Sequence, residues 1–146
     1  MTEYKKKVEI RWSDLDPNFH LRHSVYYDWG AFIRMSFLTE HSLSLEVMIE
    51  NNIGPILLRE EAIFKKEIHF KDSIELNIQL VKCSHDLRRW TIQHEIWKNG
   101  DKLSAIVSVD GAWIDTQKRK LATPPEQFIE NFLLMPKSEN FEWINK

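Results

Sequence analysis

The chain has 146 residues, 42% of them hydrophobic and 12% aromatic, with a formal net charge of −2. That length can bury a core of its own, and no long Pro/Gly-rich or low-complexity stretch divides it, which predicts one domain over residues 1–146. The near-neutral charge leaves no overall field to gather nucleic acid or an anionic membrane, and the single cysteine, Cys83, rules out an internal disulfide. The segment Met1–Lys7 is basic and polar with no apolar run behind it, which predicts no signal peptide and a cytoplasmic protein.

Val8 to Trp12 alternates and reads as a first strand. Ser13 to His23 is a polar loop in which Pro17 holds Asp16 out of the helical region. Val25 to Leu38 is apolar on nearly every side, which predicts a deeply buried helix. Ser24 is its expected N-cap, and Gly30 is expected to admit another backbone at close range. The run is too short, and too interrupted by Asp28 and Arg34, to cross a membrane. His41 to Asn52 predicts a short second helix, stopped by Asn51-Asn52 and Gly54-Pro55.

From Ile56 the period changes to two. One long or bent strand is expected over Ile56–Phe70, then others over Ile74–Leu80, Trp90–Ile96 and Leu103 to about Ile114. Turns fall at Lys71-Asp72, at Ser84–Asp86 and at Asn99-Gly100, the last a signal for a two-residue hairpin. Pro124 and Pro125 open a C-terminal helix, Glu126–Leu133. The tail after about residue 136 is expected to be loosely ordered. Short turns imply antiparallel pairing. The economical arrangement is α+β, a curved antiparallel sheet wrapped around one long central helix. A sheet edge or part of the helix is left for a second copy to cover.

Asp14 and Asp16 are the sharpest chemical candidates. A carboxylate at the mouth of a buried helix can act as nucleophile or as general base toward water. The helix N-terminus beyond it offers free N–H groups to an oxyanion. The same spacing also fits a plain Asx turn, with Asp16 bonding its own backbone. His20 and His23 flank the loop, but no metal signature matches them, so no metal is expected. Cys83 has no surrounding motif and reads as an inert thiol. Neither a Gly-rich phosphate loop nor a G-x-S-x-G elbow is present. Lys65-Lys66, Arg88-Arg89 and Lys118-Arg119-Lys120 read either as clamps for a phosphorylated tail or as solvated turns. The stripe Tyr26, Trp29, Ile33, Phe37 is core, and one wall of a helix–sheet cleft.

The stretch R-W-S-D-L-D-P-N-F-H-L-R-H-S-V-Y-Y-D-W resembles the N-terminal motif of hotdog-fold acyl-CoA thioesterases, the 4-hydroxybenzoyl-CoA thioesterase and YbgC-like group. That motif runs roughly R-Y-x-D-x-D-x-x-G-H-x-x-N-x-x-Y into the long helix. The element order, Gly54, Lys118-Arg119-Lys120 and Pro124-Pro125-Glu126 extend the likeness over nearly the whole chain.

The resemblance implies that Asp16 attacks a thioester carbonyl, or activates the water that does, with Asp14 the alternative carboxylate. It implies that the His23 backbone N–H polarises the carbonyl, and that Phe19, Arg22 and Tyr26 contact substrate. It implies a homodimer or homotetramer, with the CoA nucleotide across Arg88, Arg89, Lys118, Arg119 and Lys120. No metal or redox cofactor is implied, and coenzyme A enters as part of the substrate. The motif glycine is Phe19 here, and its Asn is replaced by the Arg22-His23 region. Phe19 is therefore expected to reroute the loop or close one side of the pocket, and Arg22 to pair with Asp16. Two rival readings keep the same fold. One is a non-catalytic acyl-CoA or acyl-carrier binding module. The other is an enoyl-thioester hydratase using His20 with Asp16.

Overall fold

A computed structural model describes residues 3–144. The elements in order are β1 (Lys5–Val8), α1 (His23–Glu40), α2 (Leu45–Glu50), β2 (Ile53–Phe64), β3 (Ile74–Asn77) and β4 (Gln79–Ser84), followed by β5 (Arg89–Lys98), β6 (Lys102–Asp115), β7 (Lys120–Leu121), α3 (Glu126–Phe132) and β8 (Lys137–Ile144). β2 pairs with β6, β6 with β5, and β5 with both β3 and β4. β3 and β4 are one run broken at Ile78, so β1 beside β3 and β8 beside β4 share the far edge. Every pairing is antiparallel except β4 with β8.

Alternation drives the sheet. In β5 the buried residues Trp90, Ile92, His94 and Ile96 face inward while Thr91, Gln93 and Glu95 do not. β6 adds Ala105, Val107 and Val109 to the same core. Against this face lies α1, whose Val25, Tyr26, Trp29, Ile33, Phe37 and Leu38 are buried. Each such side chain, taken fully out of water, contributes about 1.5–3 kcal/mol before entropy is counted.

Several expectations are corrected. The helix is not buried all round: the sheet curls about one side only, leaving Phe32 45% and Met35 38% exposed. Its N-cap is Arg22 in extended backbone, and Ser24 lies inside the first turn. Gly30 faces a side chain rather than a backbone, since a Cβ there would sit 3.1 Å from the His94 ring. The first strand ends at Val8. Trp12–Asp14 forms a single 3-10 turn because the Asp14 carboxylate accepts from the Arg11 backbone N–H at 2.9 Å.

β2 stops at Phe64, where Lys65 and Lys66 both donate to the Ser104 carbonyl and turn the chain away. Asn99 and Gly100 do take positive φ, +54° and +84°, but Lys98 pairs with Lys102, so the loop has three residues. The tail is ordered as β8. Its start is tied by the Leu80 N–H donating to the Pro136 carbonyl at 2.7 Å, and Trp143 stacks on His85 at 4.2 Å.

β2 pairs on one side only among the described residues. Its free edge carries Leu57, Leu58, Ile63 and Phe64, all about half exposed.

Candidate active site

The loop before α1 is closed by Asp16. Its Oδ1 accepts the Asn18 N–H at 2.8 Å and the His20 N–H at 3.2 Å. The Asp16 N–H donates to the His20 carbonyl at 2.8 Å, and the Phe19 N–H to the Asp16 carbonyl at 2.9 Å. This is the Asx turn, and it leaves Oδ2 free to face His20 Nδ1 at 3.2 Å. Partial burial pushes the Asp16 carboxyl up, but the N–H groups of His20 and Asn18 and the His20 ring outweigh it. The net pKa lies below the ordinary 3.8, and the group is a carboxylate at neutral pH.

Phe19 takes φ +66°, so the loop keeps the course a glycine would allow. A β-carbon there costs roughly 1–2 kcal/mol. Its ring is 72% exposed and does not line the cavity, so it closes no wall. Arg22 does not pair with Asp16. Its Nε donates to the Ser13 carbonyl at 3.2 Å, its Nη1 reaches Ser24 Oγ, and its Nη2 lies 4.0 Å from Asp14.

Asp14 is buried and held from two sides. Arg11 grips its carboxylate with Nη2 at 2.8 Å, and the Arg22 N–H donates to its carbonyl at 2.8 Å. Burial raises its pKa, but the Arg11 bonds and charge hold it below the ordinary value. Its carboxylate ties the turn that delivers the loop.

His20 stands between two carboxylates, Asp16 on Nδ1 and Glu67 Oε2 at 3.5 Å from Nε2. A backbone bridge from His20 to His69 fixes that register. At the mouth of α1 the His23 and Ser24 N–H groups have no acceptor among the described residues, and Arg22 supplies no side-chain cap. These are unclaimed donors at the positive end of an 18-residue helix.

Asp16, His20, His23 and Tyr26 line one cavity of about 320 Å³, closed by Phe64 and the turn Lys65–Glu67. Tyr26 meets Phe64 edge to face at 4.9 Å. Burial and the charges of Asp16 and Glu67 push its phenol up to about 12, so it stays protonated. Phe64 and Glu67 were missed by sequence reasoning, because they arrive from the far end of β2. Lys65 and Lys66 were read as a clamp for a phosphorylated tail or as a solvated turn, not as a wall of this cavity.

The basic groups read as a CoA surface lie elsewhere. Phe64 pairs with Ala105 at one end of β6, and Lys120 pairs with Asp115 at the other. Ten residues of strand separate them, about 33 Å. Arg88 is bound to Thr123 at 3.2 Å and Asp86 at 3.4 Å beside that far end. One chain therefore does not bring Arg88, Arg89 or Lys118–Lys120 to the cavity. Among the described residues no cluster of three or more His, Cys, Asp or Glu could hold a metal, and no helix is long and apolar enough to cross a membrane.

An antiparallel sheet curled over its longest helix, with an acidic loop leading into that helix, defines the hotdog class of thioesterases. The chain belongs to the thioesterase-like superfamily, whose family model matches residues 10–132. A hypothetical protein of Staphylococcus aureus solved in complex with CoA is 16% identical, with a TM-score of 0.85 over 99% of this chain and 89% of that one. The DHNA-CoA thioesterase of Staphylococcus aureus is 18% identical, with a TM-score of 0.81 over 92% of this chain and 91% of that one. A thioesterase of Thermus thermophilus complexed with coenzyme A and Zn is 20% identical, with a TM-score of 0.73 over 87% of this chain and 89% of that one. At these identities the likeness is one of fold. No curated protein matches the chain.

Proposed function

We propose that the protein hydrolyses acyl-CoA thioesters in the cavity between Asp16 and the N-terminus of α1, as a cytoplasmic enzyme. The observation that carries this reading is that Asp16 and His23, the first residue of α1 with its N–H unclaimed, line the same cavity. The thioester carbonyl oxygen accepts from the His23 N–H, where developing negative charge is favoured by the helix end. Asp16 takes a proton from water as the water oxygen bonds to the carbonyl carbon. The C–S bond then breaks, coenzyme A leaves as thiolate and recovers the proton, and the acid is released. His20, bonded to Asp16 Oδ2, orients the base. The route needs no metal or redox group, since coenzyme A is part of the substrate.

The free edge of β2 supports a homodimer, with pairs of dimers as the larger form. Antiparallel pairing of two β2 edges about a twofold axis sets the Phe64 end of one copy beside the Ile53 end of the other. The turn at residues 118–120 of the second copy then approaches Lys65 and Lys66, forming one basic surface for the CoA phosphates. The second copy also covers the exposed side of α1.

The test is thiol release from short, medium, long and aryl acyl-CoAs by wild type and by Asp16→Asn. Release that is lost in Asp16→Asn is expected. Binding without release from wild type would overturn hydrolysis in favour of a binding module. The His20–Asp16 contact at 3.2 Å also favours a second reading, an enoyl-thioester hydratase. Water addition to crotonyl-CoA in place of thiol release would establish it.

A further inference from the structure

A second cavity lies farther along α1, also between the helix and β2, and shares no lining residue with the first. It has a volume of about 180 Å³ and is walled by Leu57, Trp90, Trp113, Phe132 and Met135, with Arg34 of α1 on its side. The helix-facing residues of β2 run from Phe64 at the first cavity, past Glu60, to Leu57 at this one. An arginine in such a wall is out of place, and its surroundings do not satisfy it. Arg34 is 9% exposed, and its one hydrogen bond among the described residues joins Nη1 to His94 Nε2 at 2.9 Å. Glu60 Oε2 stands 3.9 Å from Nη2, beyond hydrogen-bond reach.

His94 is fully buried and brings no compensating charge. Burial, then the neighbouring Arg34, pull its pKa down to about 3. The neutral ring faces the Asn77 carbonyl with Nδ1 at 3.0 Å, which assigns the proton to Nδ1 and leaves Nε2 to accept from Arg34. Trp90 and Trp113 meet the cavity with apolar ring surface, their Nε1 atoms being enclosed in the packing behind it. The Arg34 guanidinium is thus the one side-chain donor on this wall, with N–H groups to spare in otherwise apolar surroundings. Glu60 already balances the Arg34 charge at longer range, so a second anion would leave a net negative charge in a buried place.

We propose that this cavity receives the distal end of the acyl group and selects chains bearing a neutral oxygen acceptor, a keto or hydroxyl group, near that end. The reach is set by the helix. Arg34 Nη1 lies at the level of Gly30, 3.2 Å from where a Cβ there would be. Seven residues separate Gly30 from the His23 N–H, about 10 Å of helix. A chain of about eight carbons spans that length. Gly30 is what lets the guanidinium and the His94 ring lie against the helix.

This inference rests on the thioesterase reading for the placement of the carbonyl, so its test separates the two. The probes are thioether analogues of octanoyl-CoA and 7-oxooctanoyl-CoA, which differ at one carbon and cannot be hydrolysed. Their dissociation constants are measured by calorimetry, beside thiol release from the matching thioesters. Wild type is expected to bind the keto analogue about tenfold or more tightly than the octanoyl one, the worth of a hydrogen bond to a charged donor. Arg34→Met is expected to lose or invert that preference.

Glu60→Gln, on the edge strand, tests the charge argument with the core intact. It is expected to admit the octanedioyl analogue, which wild type rejects, because Arg34 then balances the new carboxylate. Equal binding of the keto and octanoyl analogues by wild type overturns the subsite, whether or not thiol is released. A keto preference that depends on Arg34, without release of thiol, keeps the subsite and overturns hydrolysis.

Discussion

Gly111 is the residue whose replacement reports most directly on the packing of the sheet beside the second cavity. It lies on β6 opposite Trp90 of β5 on one side and Leu57 of β2 on the other. A Cβ built there would meet the Trp90 ring at 2.2, 2.4 and 2.6 Å. Carbon atoms pack at about 3.5–4.0 Å, so the ring must move by more than about 1 Å. Trp90 is buried and packed near Phe132, with ring centroids 6.0 Å apart. Overpacking of this kind costs about 1–3 kcal/mol, and the stiffer unfolded chain of the alanine variant offsets about 0.4–1 kcal/mol of it.

The net loss expected for Gly111→Ala is about 1–2 kcal/mol. For a chain of this length that lowers Tm by about 3–7 °C. Thermal unfolding followed by circular dichroism reads it. In a Trp90→Leu background the same glycine change is expected to cost nothing, since the clashing ring is gone, giving a coupling energy of about 1–2 kcal/mol. A Gly111→Ala protein that melts at or above wild type, or one whose loss persists beside Leu at position 90, would refute the account of Trp90 packed against the glycine.

Asp14→Ala is expected to destabilise by about 1–3 kcal/mol, because the Arg11 N–H loses its buried acceptor. Thiol release by the folded fraction should stay within a few-fold of wild type. The Asp14 carboxyl is held below its ordinary range, so its stabilisation is present above the unfolded pKa and is lost as pH falls through the folded one. The melting difference between wild type and Asp14→Ala should therefore shrink in acid. For catalysis, the acid limb of kcat/KM should fall below 3.8, as the N–H groups holding Asp16 require. A limb near about 6.5 would assign the base to a histidine instead. At position 19, glycine should be more stable than alanine by about 1 kcal/mol in chemical denaturation, because φ is +66° there. The reverse order would show that the loop does not take that turn.

The parts legible in the sequence are those whose cause is local. Strands β5 and β6 announce themselves by alternation, and the turn at Asn99-Gly100 by two residues that accept positive φ. The loop from Asp16 to His20 is equally local, since one carboxylate oxygen receives N–H groups two and four residues on. What the sequence does not announce is closure from a distance. Glu67 reaches His20 because β2 ends where two lysine N–H groups meet one carbonyl across the sheet. β8 was hidden because it returns in parallel to a strand more than fifty residues earlier, with no turn to mark it. The Arg34, His94 and Glu60 set is the extreme case, with one residue from each of three elements. Its sole trace in one dimension is an arginine inside an apolar helical run, four residues after a glycine. That pairing carries the argument for the second cavity. A helix that needed only to be buried would place leucine at position 34 and alanine at position 30. Keeping a charge and a notch for a neutral histidine there costs stability, and it leaves N–H donors that an acyl chain with an oxygen near its end can use.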